Sequence, residues 1–279
     1  MSSGSPVLGR PSPAATNAAA LRDQGGATDA AFRADGGDCE WCALRAVSIA
    51  GIRHRLSAQP GQDSFAWARV GDWLAVAVAD GLGGVPGSAG AAWRAASSSV
   101  AAITAATGSS SARVTAGLEA ANQAAAGGGA TTVVLAVVER GGQARLARVG
   151  DSTAFVVGDG GGPGQELFSG PADDDGVATV TAALPAGDPQ PELAMVALGR
   201  GEVLVLVTDG VADPWRDGPA TVAPALAGAL AGRPGPLELA QLLDFSRQGC
   251  HDDRTMIAVW LTPGSAGEPG PVDTHLAPV

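Results

Sequence analysis

Apolar residues along this chain come in short runs of strand length, with no long helical stripes. The runs are "RAVSIAG" at 45–51, "DSFAWARV" at 63–70, "DWLAVAVA" at 72–79, "TTVVLAVV" at 131–138, "ARLARVG" at 144–150, "TAFVVG" at 153–158, "EVLVLVT" at 202–208 and "TMIAVWL" at 255–261. Each has the length and β-branched content of a half-buried or buried strand. Links such as Gly71-Asp72 and "ERGGQ" are too short for a parallel crossover and predict antiparallel hairpins. Ala-rich segments at about 87–107 and 112–126 predict a helix pair. Segments at 219–231 and 236–248, each with Pro in its first turn, predict another. Strands, two helices, strands, two helices and a last strand predict an α+β domain: two antiparallel β-sheets packed face to face with helix pairs on the outer faces, an α-β-β-α sandwich.

Residues 1–44 are rich in Ala, Gly, Ser and Pro without a sustained period and read as a flexible N-terminal tail; 263–279 read as a flexible C-terminal tail. The ordered domain is expected over 45–262. At 279 residues, such a domain needs no disulfide or metal to build its core. The net charge of −11, with all 17 basic residues Arg, leaves no cluster to neutralise phosphates, so neither nucleic acid nor an anionic membrane is an expected partner. Cys39, Cys42 and Cys250 are too few for a disulfide framework, which points to a reducing cytoplasm. The pair in "CEWC" has the spacing of half a zinc site, but no second pair exists, and no strand and helix of a thioredoxin-like motif flank it. No secretory leader and no run of eighteen apolar residues is apparent, so secretion and membrane spanning are not expected.

Two apolar runs end in the same way. "LAVAVADGLGG" drives a strand to Asp80 and then removes nearly every side chain; "VLVLVTDGVAD" does so with Asp209. Six Asp-Gly pairs occur in the chain and the dipeptide is a common turn former, so it is position at a strand end that singles these two out. Asp151 lies between two strands, Asp252-Asp253 precede the last one, and Asp63 opens another. Carboxylates gathered at buried strand ends resist joint ionisation. A divalent cation removes that conflict, and oxygen-only ligation selects Mg²⁺ or Mn²⁺. Glycine after Asp80 lets the backbone approach a metal or an anion. Two ions could share a water and aim it, as hydroxide, at phosphorus.

From about Ala46 to Leu261 the chain resembles the metal-dependent serine/threonine protein phosphatases of type 2C. The resemblance rests on "GQDSF", "VADGLGG", "GGGATTVVLAVV" with "LARVGDSTAF", "LVLVTDGVAD" and "DDRTMIAVWL", in that order. It implies that Asp80 bridges two metals, that the Gly81 carbonyl ligates one, and that Asp209 and Asp252 complete the other. It further implies that Asp63 holds metal-bound waters, and that Asp151 and Asp213 help to bind a third, weaker metal. The implied activity is hydrolysis of phosphoserine or phosphothreonine on proteins by a metal-activated water, in a monomer acting on the phosphoprotein products of a serine/threonine kinase.

The chain departs from the commoner first motif, which has Arg five residues before the Asp and Glu just before it; Ala58 and Gln62 stand here. The stretch "GIRHRLSAQPGQD" is closer to a bacterial branch with Gly-x-x-His before Pro-x-Gln-Asp. Arg53 or Arg55 could supply the missing phosphate contact, and His54 is a candidate general acid. Leu82 stands where some eukaryotic members carry His. Loss of the Arg favours an alternative, a weak or inactive phosphatase-like module that docks a phosphorylated partner; the retained acids favour the enzyme. Residues from about 158 to 196 take the place of the family's flap, where Asp173-Asp174-Asp175 read as a solvated run.

Overall fold

The computed structural model describes residues 24–26, 32–158, 162, 164–168, 181–216, 222–245 and 247–262. The strands are β1 (Gln24–Gly26), β2 (Phe32–Asp38), β3 (Cys42–Ile49), β4 (Ser64–Val70), β5 (Trp73–Ala79), β6 (Val133–Glu139), β7 (Gln143–Val149), β8 (Thr153–Val157), β9 (Gln165–Glu166), β10 (Glu192–Ala197), β11 (Val203–Val207) and β12 (Arg254–Leu261). They form two six-stranded sheets, in the orders β1-β4-β5-β6-β7-β10 and β2-β3-β12-β11-β8-β9, and every pairing is antiparallel. The helices are α1 (Ile52–Leu56), α2 (Ser88–Ala105), α3 (Ser110–Ala125), α4 (Asp209–Arg216), α5 (Val222–Ala231) and α6 (Pro236–Leu243).

The period of two along each strand sorts side chains by size between layers. In β5, Leu74, Val76 and Val78 enter the core between the sheets, while Ala75, Ala77 and Ala79 face the helices α2 and α3. Alanine there meets Ala92, Ala95 and Ala96 of α2, all fully buried, so a helix with few large side chains can sit close to the sheet. In β12, Ile257 and Val259 point between the sheets, whereas Met256, Ala258 and Trp260 meet α4 to α6. The sandwich expected from the sequence is the sandwich observed, with three helices in place of two on the second face.

The structure differs from these expectations in four places. Residues 24–26 and 32–38, read as tail, pair as edge strands on β4 and β3; their Gly and Asp content is poor for strands and hid them. Strand β10 lies inside the segment read as flap, paired along β7. Helix α4 was missed because Asp-Gly reads as a turn and Pro214 as a breaker. Helix α6 ends at Leu243, not 248. The Asp173–Asp175 run and residues 263–279 lie outside the described residues.

Register decides where the acids meet. Ser64 pairs with Ala79, and Val207 pairs with both Thr153 and Met256. The residues just outside these pairs, 63, 80, 151–152, 208–209 and 252–253, therefore fall at one end of the sandwich.

Candidate metal centre

Asp80 follows β5 and is held through its backbone: Thr132 N donates to its carbonyl at 2.8 Å, and Thr131 Oγ1 donates to the same oxygen at 2.7 Å. Gly81 N donates to Gln62 O at 3.2 Å. A Cβ on Gly81 would stand 2.6 Å from Ser88 O, so a side chain would push the start of α2 away from the turn. Asp209 is the first residue of α4, where a carboxylate sits favourably at a helix N-terminus. Gly210 lets α4 press on the neighbouring loop: a Cβ there would be buried in the carbonyl oxygen of Asp253. Asp151 sits in the turn between β7 and β8, its Oδ2 accepting from Thr181 Oγ1 at 3.0 Å.

One carboxylate oxygen from each of Asp80, Asp151 and Asp209 lies within 4.8 Å of the others, close enough to hold a metal ion together. Asp63 lies behind them, 5% exposed, its Oδ2 accepting a 2.7 Å hydrogen bond from Thr208 Oγ1. Burial, reinforced by Asp253 and Asp209, pushes the Asp63 carboxyl well above the usual range. Burial, with the charges of Asp63 and Asp209, does the same to Asp80. Asp209 is pushed up to about 7, first by burial and then by Asp252 and Asp151. These groups cannot all ionise without a compensating cation.

The orphaned oxygens say the same. Asp63 Oδ1 and Asp151 Oδ1 are buried and meet no N–H or hydroxyl donor among the described residues. Unsatisfied buried carboxylate oxygens are costly. All these donors are hard oxygens, so the set fits Mg²⁺ or Mn²⁺ and not a thiophilic ion.

A cleft of about 160 Å³ opens over this end, lined by Arg53, Asp209, Gly210, Asp213, Pro214, Gly249, Cys250, His251 and Asp252. The profile described as "Protein phosphatase 2C" matches residues 50–231. The chain belongs to the protein phosphatase 2C family. The serine/threonine phosphatase PstP/Ppp of Mycobacterium tuberculosis is similar at 21% identity and a TM-score of 0.59, over 79% of this chain and 99% of that one. The PstP catalytic domain in complex with 2 manganese ions gives 22% and 0.56, over 80% and 99%. RsbX in complex with magnesium gives 18% and 0.55, over 82% and 100%. These likenesses carry the fold. Among curated proteins no sequence matches.

Within this phosphatase 2C domain, the structure sorts the remaining sequence candidates. Asp252 is exposed in the cleft and stands outside the three-carboxylate group, yet it is the largest charge acting on Asp209. Asp213 is also exposed and pairs with Arg216 at 3.0 Å. Arg53 reaches the cleft from α1, whereas Arg55 on the same helix pairs with Asp244 at 3.0 Å and does not line it. Nδ1 of His54 lies 2.8 Å from Asp253 Oδ1, so the ring is engaged beside the cleft and is not among its lining residues.

The roles of two residues escaped the sequence reading, which weighs Asp253 only as an alternative ligand to Asp252. Asp253, 2% exposed, accepts from Gly51 N and Gln62 N at 2.5 Å each, as well as facing His54. It ties α1 and the Asp63 turn to the start of β12. Thr208 joins Asp63 to β12, since its Oγ1 also accepts from Thr255 N at 3.0 Å. The Thr before Asp209 was visible in sequence, but only as the end of a strand.

Proposed function

We propose that this chain hydrolyses phosphoserine and phosphothreonine on proteins, with Mg²⁺ or Mn²⁺ as cofactor. The observation that carries the reading is the convergence of Asp63, Asp80, Asp151 and Asp209 at one end of the sandwich with orphaned buried oxygens and raised proton affinities. Asp80, the Gly81 carbonyl, Asp209 and Asp252 would hold two divalent ions, and Asp151 and Asp213 a third, weaker one. When bound, such ions offset the carboxylate repulsion, lower the pKa of water and draw in a phosphate.

The chain's own residues do the rest. Asp63, fixed by Thr208, accepts hydrogen bonds from water in the centre. Arg53 brings a guanidinium fork to the same cleft and takes over the phosphate contact that Ala58 cannot make. Arg55 was an equal candidate by sequence; its pairing with Asp244 favours Arg53. His54, oriented by Asp253, is placed to give a proton to the departing serine or threonine oxygen once the substrate closes on α1. No covalent phospho-enzyme is required. Cysteine usage favours the cytoplasm for this activity, and the resemblance favours a monomer acting on kinase products; no helix among the described residues is long and apolar enough to cross a membrane.

The test is phosphate release from a phosphothreonine peptide with Mn²⁺, with chelator, and with Asp209→Asn. Turnover that needs Mn²⁺ and is lost in the variant is expected. A folded, Mn²⁺-binding protein without turnover would overturn the reading in favour of a phosphopeptide-docking module.

A further inference from the structure

The two cysteines of "CEWC" take no part in the acid centre. They close the turn between β2 and β3, at the far end of β3 from Gly51. Eight residues of strand separate the two ends, about 25 Å at the usual rise per residue. Cys39 N donates to Cys42 O at 2.8 Å, Cys42 N donates to Cys39 Sγ at 3.3 Å, and the two sulfurs are 3.1 Å apart.

The turn is pinned on both sides. Trp41 is fully buried between the sheets, and Glu40 pairs outside with Arg140 at 3.1 Å. Past the end of β12, Thr262 donates from N to Trp41 O at 3.0 Å and from Oγ1 to Glu40 O at 2.7 Å. Thiols held this way cannot drift apart without drawing Trp41 from the core. A metal is not what they await: among the described residues the only group of three or more His, Cys, Asp or Glu able to share an ion is the one at Asp80.

We propose that Cys39 and Cys42 are a reversible redox site that forms an intramolecular disulfide, with a low-molecular-weight disulfide as the oxidant. Residues three apart across a closed turn fall in the Cα range that a disulfide needs, and the sulfurs must approach by about 1 Å to reach the bond length of about 2.05 Å. Cys39 is partly exposed and Cys42 fully buried, and burial pushes the Cys42 thiol up. Cys39 is therefore the attacking sulfur. Its thiolate displaces one thiolate from the reagent, giving a mixed disulfide. Cys42 then loses its proton to solvent and attacks Cys39 Sγ, expelling the second reagent thiolate. Two protein thiols are oxidised and one reagent disulfide is reduced to two thiols. The bond fastens edge strand β2, whose Gly36-Gly37-Asp38 end is a weak strand former, to β3.

The test uses the full-length Cys250→Ser protein, which keeps only this pair, equilibrated against graded mixtures of reduced and oxidised glutathione, then acid-quenched and alkylated. The expected product is a monomer that has lost two hydrogen atoms, carries no glutathione and takes up no alkylating reagent, with slower amide exchange across 32–38. The protein with Cys39→Ser added should give no such product. A stable glutathione adduct on Cys39, a disulfide-linked dimer, or two thiols no easier to oxidise than those of the same protein in guanidinium would overturn the site. Disulfide formation with unchanged exchange across 32–38 would overturn its fastening of β2.

Discussion

Thr208 Oγ1 donates to Asp63 Oδ2 at 2.7 Å while accepting from Thr255 N at 3.0 Å, so one hydroxyl links the acid before β4 to the hydrogen-bonding edge of β12. Bulk solvent is a poor substitute for these bonds, because Thr208 and Thr255 are fully buried and Asp63 is 5% exposed. Thr208→Val keeps the shape and removes both bonds. It is expected to cost roughly 1–3 kcal/mol in denaturant unfolding, the penalty of leaving buried polar groups unpaired. Thr208→Ser, which restores the hydroxyl, should recover most of that loss.

The acid centre predicts an inverted pH dependence for the metal-free protein. An unfolded Asp titrates near pH 4, and Asp209 in the folded chain titrates at about 7, because burial and the charges of Asp252 and Asp151 oppose its ionisation. Between those values the folded state holds a proton that the unfolded state has released. Stability from this group is then full below about pH 4 and is lost as pH rises through about 7. Asp63 and Asp80 are shifted the same way. The melting temperature of chelated protein should fall between about pH 5 and pH 8, and Asp209→Asn should flatten the fall. Mn²⁺ at a hundredfold excess over its Kd should add about 2.7 kcal/mol near neutrality, and less in acid, where protons compete for the ligands. A chelated protein that becomes more stable across this range would contradict the compact acid cluster.

Arg53 and Arg55 give a paired prediction. Arg53 lines the cleft, and no acid among the described residues pairs with it; Arg55 is half-exposed and paired with Asp244. Charge-assisted hydrogen bonds to a phosphate contribute about 1.5–3 kcal/mol. Arg53→Ala should therefore lower kcat/KM on a phosphothreonine peptide roughly ten- to a hundredfold, mostly through KM. Arg55→Ala loses one surface ion pair and should change kcat/KM less than about threefold. Equal losses at both positions would assign the phosphate contact elsewhere.

Much of this was legible in the chain because β-strands announce themselves. The eight predicted runs meet observed strands to within about three residues, since alternation of large and small apolar positions in β5 and β12 is what the layered core requires. Asp80 and Asp209 were legible because an acid closing such a run is rare enough to ask for a reason. Strand β2 and helix α4 were not, because Gly36-Gly37 and Pro214 carry local preferences that tertiary packing overrides. Nor could sequence alone tell Arg53 from Arg55 two residues apart on α1: that distinction depends on where Asp244 lies once α6 has packed.

Asp252 and Asp253 make the sharpest case, since adjacent residues of the same type should fail in opposite ways. Asp252 is exposed in the cleft and presses its charge on Asp209. Asp253 is buried and accepts from Gly51 N, Gln62 N and His54 Nδ1. Asp252→Asn removes a repulsive charge and keeps an oxygen able to accept from Asp253 N, as Asp252 Oδ1 does at 3.0 Å. It should leave the chelated protein as stable or slightly more so, while weakening Mn²⁺ binding and the stabilisation that Mn²⁺ brings. Asp253→Asn trades an acceptor-only carboxylate for an amide, one end of which must face a donor. Breaking a buried network of this kind costs about 2–5 kcal/mol, and α1 with Arg53 should loosen with it. Melting with and without Mn²⁺ separates the two: D252N should lose the metal-dependent increment, D253N the metal-independent baseline. If D252N unfolded the chelated protein and D253N did not, the roles assigned to the two acids would have to be exchanged.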